Sequence, residues 1–554
     1  MPAMATLVQS SVAAARARVA ASAAVNRRAT FLVATASLMA TTAAMCVATV
    51  ALTRGTLTYI IDDAYIHLTM ARNLADYGTW GMVPGTFESS SSSPGWVTLI
   101  AGLIRLAPGV AEWLPLIVNM VACVAILAIF AGCQDVIAIR GRSAWRIAAV
   151  VLLPSVLFLP GLIQLGMEHS VHTALVLVLL LQVERMLQGR LSWRRILAYA
   201  VLLLITTGLR FETACLALGC GAVLVAPVVS RFSRERRVHV FRDRRVVALA
   251  VSGIAPVAVI TAIGVINLAN GQYFLPNSIV EKTNLLSNGG IGALIPNLGW
   301  TWAQLSGDPF MLAVIAFGVV AIVQRVSLRG VWIAWLIGAL LHATYAQFGW
   351  YERYQAYLLI SGILLTLRSA HEIRFLQSRP RQAIALAVSL LLLPGVKYFN
   401  IAYGPTAAFN QFAEQNQMAV FLSRYYDGST VMVNDIGHVT WLHQGGLVDM
   451  WALGSFEVLQ AQRGGYYNAT YMTTLAHKHE AAAVAEYSPS FDFLVPHGFV
   501  KVATWKILNS SDARWQAITF WAPDQSAARL MRGQMRAFIP TLLPQHHVAA
   551  QIDG

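Results

Sequence analysis

The sequence has little charge, few cysteines and no nucleotide-binding loop, and each shortage excludes a class of protein. Asp, Glu, Lys and Arg make up only 12% of the 554 residues, against 57% hydrophobic residues, which excludes an ordinary soluble globular protein. The five cysteines lie in or beside apolar runs and have neither a disulfide framework nor zinc-site spacing. The pattern Gly-x4-Gly-Lys-Ser/Thr is absent from the sequence, so no ATP-driven activity is indicated.

The sequence contains many long apolar runs. A spanning helix needs roughly 17–25 mostly apolar residues. Runs that approach or reach this length lie at 31–53, 112–132, 146–165, 170–187, 193–208, 213–230, 246–268, 309–325, 330–347, 354–368 and 382–400. The sequence therefore predicts a polytopic α-helical membrane protein with about eleven transmembrane helices.

The basic residues are distributed unevenly along these runs. If the N-terminus is cytoplasmic, the inner segments hold 24 Arg and Lys against 5 Asp and Glu, and the outer segments hold more acidic than basic residues. This asymmetry indicates a cytoplasmic N-terminus and an extracytoplasmic C-terminus. The net charge of +14 is thus a consequence of topology, and no nucleic-acid partner is indicated.

Three regions follow from this organisation. Residues 1–30 form a cytoplasmic basic tail, 31–402 a transmembrane domain with long outer loops at 54–111 and 269–308, and 403–554 an extracytoplasmic soluble α/β domain. In that last region the pattern predicts a short helix at 438–443, a loosely ordered tail after Pro540, and strands at 430–433, 447–449, 491–495, 499–507 and 517–521.

Two adjacent carboxylates, Asp62 and Asp63, stand where the first apolar run ends. The spacing predicts a short amphipathic helix over 64–76 at the membrane surface, and a short apolar interfacial or re-entrant helix over 94–106. One reading of the pair is an N-cap of the first of these helices. The other reading is a general base in an outer cavity, with its neighbour orienting it, and both can hold at once.

Further polar clusters are predicted on the same side of the membrane. Glu168, His169 and His172 are spaced for a helix end, but no third metal ligand follows, so polar groups facing a cavity are favoured over a metal site. Asn277 fits a turn, and Asp435 fits the cap of the helix at 438–443. The cations in the outer loops could snorkel, pair locally as Arg353 could with Glu352, or bind a phosphate; they are Arg210, Lys282 and Arg353.

The order of these motifs resembles the bacterial GT-C glycosyltransferases, multi-span enzymes that use polyprenyl-phosphate-linked sugars. The motifs are Asp62-Asp63-Ala64-Tyr65-Ile66, Ala71-Arg72-Asn73-Leu74, Ser91-Ser92-Ser93-Pro94-Gly95-Trp96, Gly166-Met167-Glu168, Leu209-Arg210-Phe211-Glu212, Pro276-Asn277-Ser278, Tyr351-Glu352-Arg353-Tyr354 and Asn434-Asp435-Ile436-Gly437. Within the family they look most like arabinofuranosyltransferases of actinobacterial cell walls and lipopolysaccharide-sugar transferases. Asp63 departs from the aminoarabinose and protein-mannose branches, where many relatives have Glu.

The resemblance implies a role for each polar group. Asp62 matches the preferred general base on the acceptor hydroxyl and Asp63 its partner. Arg210, Lys282 and Arg353 match positions that hold the donor phosphate. Other residues expected to line the substrate cavity are His67, Glu168, His169, Glu212, Asn277, Tyr351 and Glu352. No resident metal is assigned, although the resemblance leaves a divalent cation open.

The function predicted on this basis is inverting transfer of one sugar, with D-arabinofuranose as a candidate, from a polyprenyl-phosphate donor. The acceptor is a cell-envelope glycan, lipid or protein on the outer face of a bacterial inner membrane. Two alternatives remain open from the sequence. A lipid-linked-sugar flippase or other transporter predicts intramembrane charge pairs and paired broken helices, and a catalytically dead scaffold predicts a replaceable Asp pair.

Overall fold

The computed structural model describes residues 2–133, 144–189, 191–235, 243–282, 297–379, 400–508, 517–545 and 547–553. All of the predicted span at 382–400 except residue 400, and much of the predicted outer loop at 269–308, lie outside the described residues. Side chains of the basic tail are described only from Arg27 onward.

Six described helices are long and apolar enough to cross a membrane, or seven if a pair bent by 104° counts as one span. The six are Arg27–Leu52, Pro108–Gly132, Ile147–Gln164, His169–Gln188, Thr213–Ser233 and Arg244–Ala269, and the bent pair is Leu298–Ser306 with Pro309–Val323. Three more predicted runs form helices of 14 to 17 residues, at Trp193–Leu209, Arg329–Tyr345 and Ala356–Ser369. A polytopic helical fold is therefore found, but the predicted number of eleven is not confirmed.

The other helices are short. They are Asp63–Tyr77, Pro94–Leu106, Asn277–Lys282, Arg374–Ser378, Asn400–Gln411, Gln417–Tyr426, Gly437–Leu442, Phe456–Gly464, Ala469–Lys478 and Gln525–Phe538. A π-helical turn, Phe412–Asn416, joins two of them. The predicted helices over 64–76 and 94–106 are confirmed to within one residue.

The helix Asp63–Tyr77, here called the loop helix, ends at Gly78, whose φ of 66° is the left-handed conformation that terminates helices. Its pattern predicts one apolar face, yet ten of its fifteen residues are buried. Most of it is buried because the C-terminal region packs on the face that the sequence predicts to be polar. The contact is made by the helix Gly437–Leu442, here called the docking helix.

Two side chains, Asp62 just before the loop helix and Arg72 within it, hold the two ends of the docking helix. Asp62 accepts hydrogen bonds from its first amides, and Arg72 donates to the carbonyl oxygens of Thr440 and Trp441, both at 2.9 Å. The Arg72 guanidinium also lies 4.6 Å from the Trp441 ring centre. An acid at the amino end and a base at the carboxyl end complement the helix dipole, which fixes the docking helix against the loop helix.

The C-terminal region contains a mixed six-stranded sheet in the order β2-β1-β3-β5-β4-β6. The strands are β1 Thr430–Val433, β2 Leu447–Asp449, β3 Ala481–Tyr487, β4 Val500–Ile507, β5 Ala517–Ala522 and β6 Val548–Ile552. Strand β1 is parallel to β2 and β3, and the remaining pairs are antiparallel. The carboxyl ends of the three parallel strands therefore meet at one edge, where loop residues are placed to contact a ligand.

The sequence prediction is wrong at three points of this sheet. The segment at 491–495 is a turn around the 3-10 helix Asp492–Leu494 and not a strand. The alanine-rich β3 has few β-branched residues, so the pattern does not predict it. The tail after Pro540 is not loosely ordered, because β6 pairs with β4.

Candidate active site

The two acidic residues at the start of the loop helix, Asp62 and Asp63, have different surroundings. The Asp62 carboxylate is only 8% exposed and accepts three hydrogen bonds, from the amides of Gly437 (2.5 Å) and His438 (2.9 Å) and from His438 Nδ1 (3.0 Å). It therefore caps the docking helix, and not the loop helix that follows it in sequence. Both oxygens of Asp62 are committed to positioning the C-terminal region.

Asp63 pairs with a guanidinium instead. Its Oδ2 lies 2.5 Å from Arg353 Nη2, which also donates to the Tyr354 hydroxyl at 2.8 Å. The local alternative, an ion pair between Arg353 and Glu352, is not the one formed. Arg353 is only 4% exposed, and its Nε has no hydrogen-bond partner among the residues described. A buried guanidinium therefore keeps one donor for another group.

Two cavities meet at this ion pair. One, of about 240 Å³ and here called the apolar cavity, reaches from Asp63 to Phe211, Cys215 and Ile260. Ile260 lies in the middle of the helix Arg244–Ala269, which is apolar enough to cross a membrane. The other cavity, of about 380 Å³ and here called the acidic cavity, lies under the C-terminal region. Residues that line both are Asp63, Gln347, Arg353, Tyr354 and Leu453.

The polar atoms left over in the two cavities are of opposite kinds. In the apolar cavity, the buried hydroxyls of Ser90 and Ser278 and the Arg353 Nε have no hydrogen-bond partner within the described ranges. In the acidic cavity, the side-chain amide oxygens of Gln411 and Gln415 likewise have no hydrogen-bond partner among the described residues. The first set can donate to an anion, and the second can only accept from a donor.

Among known proteins, a family model described as "Domain of unknown function (DUF8728)" matches residues 405–531. No curated protein matches the chain. Among solved structures, the chain is similar to ArnT from Cupriavidus metallidurans bound to undecaprenyl phosphate, at 11% identity and a TM-score of 0.47, over 88% of this chain and 98% of that one.

The archaeal oligosaccharyltransferase AglB from Archaeoglobus fulgidus, in complex with an inhibitory peptide and a dolichol-phosphate, is similar at 13% identity and a TM-score of 0.42. The match covers 88% of this chain and 74% of that one.

A second charged cluster stands beside the apolar cavity. Glu168 Oε1 accepts from Arg210 Nη1 at 2.8 Å and from the Ser93 hydroxyl at 2.7 Å. Arg210 also forms a two-point pair with Glu212, through Nε at 3.1 Å and through Nη2. Burial disfavours ionisation of both acids, but the Arg210 charge outweighs it at Glu212 and lowers the pKa of that group to about 2. At Glu168, His169 and Arg210 together lower the pKa below its usual range. Arg210 is thereby held by two carboxylates.

The residues expected around the substrate divide between the cavity walls and the layer behind them. His67 and Glu212 line the apolar cavity, and Tyr351 lines the acidic one. The following residues, expected in the wall, are absent from it: Glu168, His169, Asn277 and Glu352. Glu168 and Asn277 lie behind the wall because their side chains are used in hydrogen bonds to Arg210 and Glu88. The Lys282 side chain lies outside the described part of the chain.

Sequence reasoning assigned the wrong role to Asp435. Its cap position is taken by Asp62, and its own carboxylate accepts from Gln415 Nε2 at 2.7 Å and from the Tyr487 hydroxyl at 2.6 Å, at the edge of the acidic cavity. Burial and the nearby Asp62 charge raise the pKa of Asp435 to about 7. The position of Asp435 after a parallel strand could have predicted that it lines a ligand cavity. No feature of the sequence around Glu414 and Gln415 predicts that they line it too. They are brought to the cavity by a π-helical turn, a form often found at functional sites.

No group of three His, Cys, Asp or Glu side chains among the described residues is arranged to hold a metal ion. Two members of the cluster considered as metal ligands from the sequence have other partners. His172 Nε2 lies 2.8 Å from the Thr213 hydroxyl, and Glu168 is paired with Arg210.

Glu88 joins Gln272 and Asn277 to the C-terminal region. It accepts hydrogen bonds from Gln272 Nε2 (2.9 Å), Asn277 Nδ2 (3.2 Å) and the Phe456 amide (3.3 Å). Burial raises its pKa to about 7. The folded chain therefore binds this proton more tightly than the unfolded chain, and the free energy of unfolding falls as the pH rises from about 4.5 to about 7, by at most about 3 kcal/mol.

This pH dependence is testable by thermal unfolding of the purified protein. We expect the Tm of the wild type to fall further between pH 5 and pH 8 than that of Glu88→Gln, whose residue 88 cannot ionise. The control is Glu480→Gln, at an exposed carboxylate. Its Tm changes with pH as steeply as that of the wild type. Equal slopes for wild type and Glu88→Gln would show that Glu88 is ionised in the fold throughout.

Proposed function

We propose that this chain is a membrane glycosyltransferase of the GT-C type that moves one sugar from a polyprenyl-phosphate donor to an acceptor outside the cytoplasm. One observation carries the proposal: an apolar cavity that reaches into a candidate membrane span meets an acidic cavity at the Asp63–Arg353 ion pair. A donor with a lipid tail and a polar acceptor need two such compartments with a shared wall.

The donor fits the apolar cavity. Its prenyl chain packs along the wall that contains Phe211 and Ile260, and its phosphate accepts from the unpartnered donors Arg353 Nε, Ser90 Oγ and Ser278 Oγ. Arg353 is the phosphate ligand in preference to Arg210. All three nitrogens of Arg210 already donate to carboxylates, so Arg210 serves to position Tyr354, whose ring centre it approaches to 5.4 Å.

The chemistry then takes place at Asp63. An acceptor hydroxyl oxygen attacks the anomeric carbon and gives its proton to the Asp63 carboxylate. The bond from that carbon to the phosphate oxygen breaks, and its electron pair leaves with polyprenyl phosphate. Attack opposite the leaving group inverts the anomeric centre. Asp63 later releases the proton to solvent.

The two acids exchange the roles that the sequence resemblance implies. Asp62 is the positioning residue, because its oxygens are used by Gly437 and His438. Asp63 is the base, because it lines both cavities. Hydrogen bonds to both oxygens of a carboxylate weaken it as a proton acceptor, so the commitment of Asp62 favours Asp63.

The proposal includes the arrangement in the membrane. Residues 1–30 lie in the cytoplasm of a bacterial cell, 31–402 form the catalytic transmembrane domain in its inner membrane, and 403–554 lie outside and close the acidic cavity. The acceptor is a glycan, lipid or protein of the cell envelope. The sequence resemblance makes decaprenyl-phospho-D-arabinofuranose the first donor to test.

The test is transfer in vitro by the purified full-length chain. A panel of polyprenyl-phosphate sugars labelled in the sugar is incubated with cell-envelope extracts, and free polyprenyl phosphate and labelled product are measured. We expect one donor to be consumed with equal amounts of both products. If the folded protein consumes none of the donors, the proposal is wrong.

Arg353→Lys separates phosphate binding from chemistry. Lysine keeps the positive charge beside Asp63 but lacks the Nε donor and the planar fork. Loss of a hydrogen bond between charged groups costs about 1.5–3 kcal/mol, so we expect the KM for the donor to rise about 10- to 100-fold. The control is Arg368→Lys, at a second, half-buried guanidinium pair in which Arg368 Nη2 lies 2.8 Å from Glu184. An unchanged KM in Arg353→Lys would exclude Arg353 as the phosphate ligand.

A further inference from the structure

The wall shared by the two cavities contains one aliphatic side chain among its described residues, that of Leu453. The other shared residues carry charged or polar groups, and they are Asp63, Gln347, Arg353 and Tyr354. Of these five, Leu453 is also the one that comes from the C-terminal region, and its side chain packs against the hydrophobic core. An apolar side chain therefore stands where the two cavities meet, at the wall that contains the Asp63–Arg353 ion pair.

Leu453 belongs to a tight turn at the end of strand β2, formed by residues 449–454 and here called the partition turn. The Asp449 carboxylate is fully buried. It accepts hydrogen bonds from the amides of Trp451 and Leu453, both at 2.7 Å, and from the amide of Gly454 at 2.6 Å. The described lining of neither cavity includes Asp449. Its carboxylate is therefore used to fix the backbone that presents Leu453, and not to contact a ligand.

Contacts from outside the turn hold it in the same place. The Leu453 carbonyl oxygen accepts from Asn277 Nδ2 at 3.5 Å, and Trp451 Nε1 donates to Glu281 Oε1 at 3.1 Å. Ala452 has a φ of 74°, a left-handed conformation that is unfavourable for a residue with a side chain. Such a conformation persists where the surroundings enforce it, and it is common at functional sites. The position of Leu453 is thus enforced by contacts within the turn and with a second segment of the chain.

A transferase that works beside a polar cavity has to keep water from the reacting carbon. Asp63 can accept a proton from water as it can from an acceptor hydroxyl, because both carry an O–H group. The acidic cavity is lined by carboxyl and amide groups, and polar cavities of this size hold water. Unless a side chain stands between that water and a donor in the apolar cavity, the sugar is lost by hydrolysis.

We propose that the partition turn favours transfer over hydrolysis: Leu453 excludes water from the anomeric carbon, and Asp449 is the positioning residue that holds Leu453 there. The inference rests on the proposed function and adds a specificity-determining residue to it. In the reaction that Leu453 prevents, a water oxygen attacks the anomeric carbon and gives its proton to the Asp63 carboxylate. The bond from that carbon to the phosphate oxygen breaks, and its electron pair leaves with polyprenyl phosphate. The products are free sugar and polyprenyl phosphate.

The test compares two products of one reaction catalysed by the purified full-length protein. Decaprenyl-phospho-D-arabinofuranose labelled in the sugar, or the panel member that the wild type consumes, is incubated with cell-envelope extract. Free and transferred sugar are measured above a reaction without protein. One methylene in a hydrophobic contact discriminates between substrates by about 10- to 200-fold, so we expect the ratio of free to transferred sugar to rise at least about 10-fold in Leu453→Ala. Asp449→Asn raises the ratio too, because its NH₂ group cannot accept from a backbone amide.

Two controls keep the wild-type ratio. Leu453→Met has an apolar side chain of similar size, and Leu530→Ala changes an exposed leucine of the same region. A misfolded variant loses both products together, whereas loss of the partition changes their ratio. Should Leu453→Ala lose both products, Leu453→Val, which removes one carbon atom, decides by the same ratio.

The outcomes separate this inference from the proposed function. Transfer by the wild type with an unchanged ratio in the Leu453 variants would refute the partition alone. A raised ratio in Leu453→Ala but not in Asp449→Asn would refute the positioning role of Asp449. If the folded wild type forms neither product from any donor of the panel, the proposed function is wrong and the inference fails with it.

Discussion

Replacing Asp63 by asparagine will stop sugar transfer while the donor still binds. Asparagine keeps an oxygen that can accept from Arg353 Nη2, which in the wild type lies 2.5 Å from the Asp63 carboxylate, so the wall between the cavities keeps its shape. It cannot take the proton of the acceptor hydroxyl. General bases contribute about 10²–10⁴ in rate, and we expect kcat to fall about 10³-fold, with the Kd for the donor changed by less than about threefold.

Asp76→Asn is the control for this measurement, because Asp76 is an exposed acid at the other end of the loop helix. It keeps the wild-type kcat. Single-turnover rates and donor affinity are measured on the same folded preparations. Full activity in Asp63→Asn, with loss in Asp62→Asn, would return the role of base to Asp62.

Adding one methyl group at Gly437 will separate the C-terminal region from the acidic pair. A Cβ at this position would lie 2.2 Å from the Asp62 carbonyl oxygen and 2.7 Å from its Cγ, and real contacts between such atoms are never so close. The docking helix must therefore move away from Asp62 in Gly437→Ala. Because reacting groups misplaced by about 1 Å lose about 10²-fold in rate, we expect a fall in kcat of at least that size.

Hydrogen exchange tells this displacement from general unfolding. The amides of Gly437 and His438 are protected by Asp62 in the wild type, and they exchange faster in Gly437→Ala while β1 and β3 keep their protection. Gly533→Ala is the matched control, because a Cβ there has no neighbour within 4 Å. Wild-type kcat and protection in Gly437→Ala would show that the contact with Asp62 does not support catalysis.

The parts of the fold that sequence predicted are those set by local pattern. The apolar stretch Pro94–Leu106 is bounded by a proline and has one periodicity, and β1 and β2 are short runs between turn residues, so all three were predicted at their observed bounds. Strand β3 consists mainly of alanine, and its place between β1 and β5 is decided by the sheet. Three predicted runs form helices of only 14 to 17 residues, which is short for a membrane span. The number of spans is therefore not decided by the apolar pattern.

The site was predictable where it depends on neighbours in sequence and not where it depends on distant ones. The acidic pair stands out because two charges follow an apolar run. The capping of the docking helix by Asp62 joins residues 375 positions apart, so a local rule assigned that cap to Asp435. The pairing of Arg353 with Asp63 in place of its neighbour Glu352 is likewise a product of folding, and it is this pairing that joins the cavities.

The most direct test of the account follows a labelled lipid-linked sugar in sealed proteoliposomes that contain the purified chain and the donor identified in vitro. If the two cavities serve transfer, each labelled sugar that leaves its lipid appears on an acceptor, polyprenyl phosphate is formed in equal amount, and Asp63→Asn abolishes both. If intact sugar–lipid crosses the bilayer with no cleavage of the bond to phosphate, the chain is a transporter and the account is contradicted.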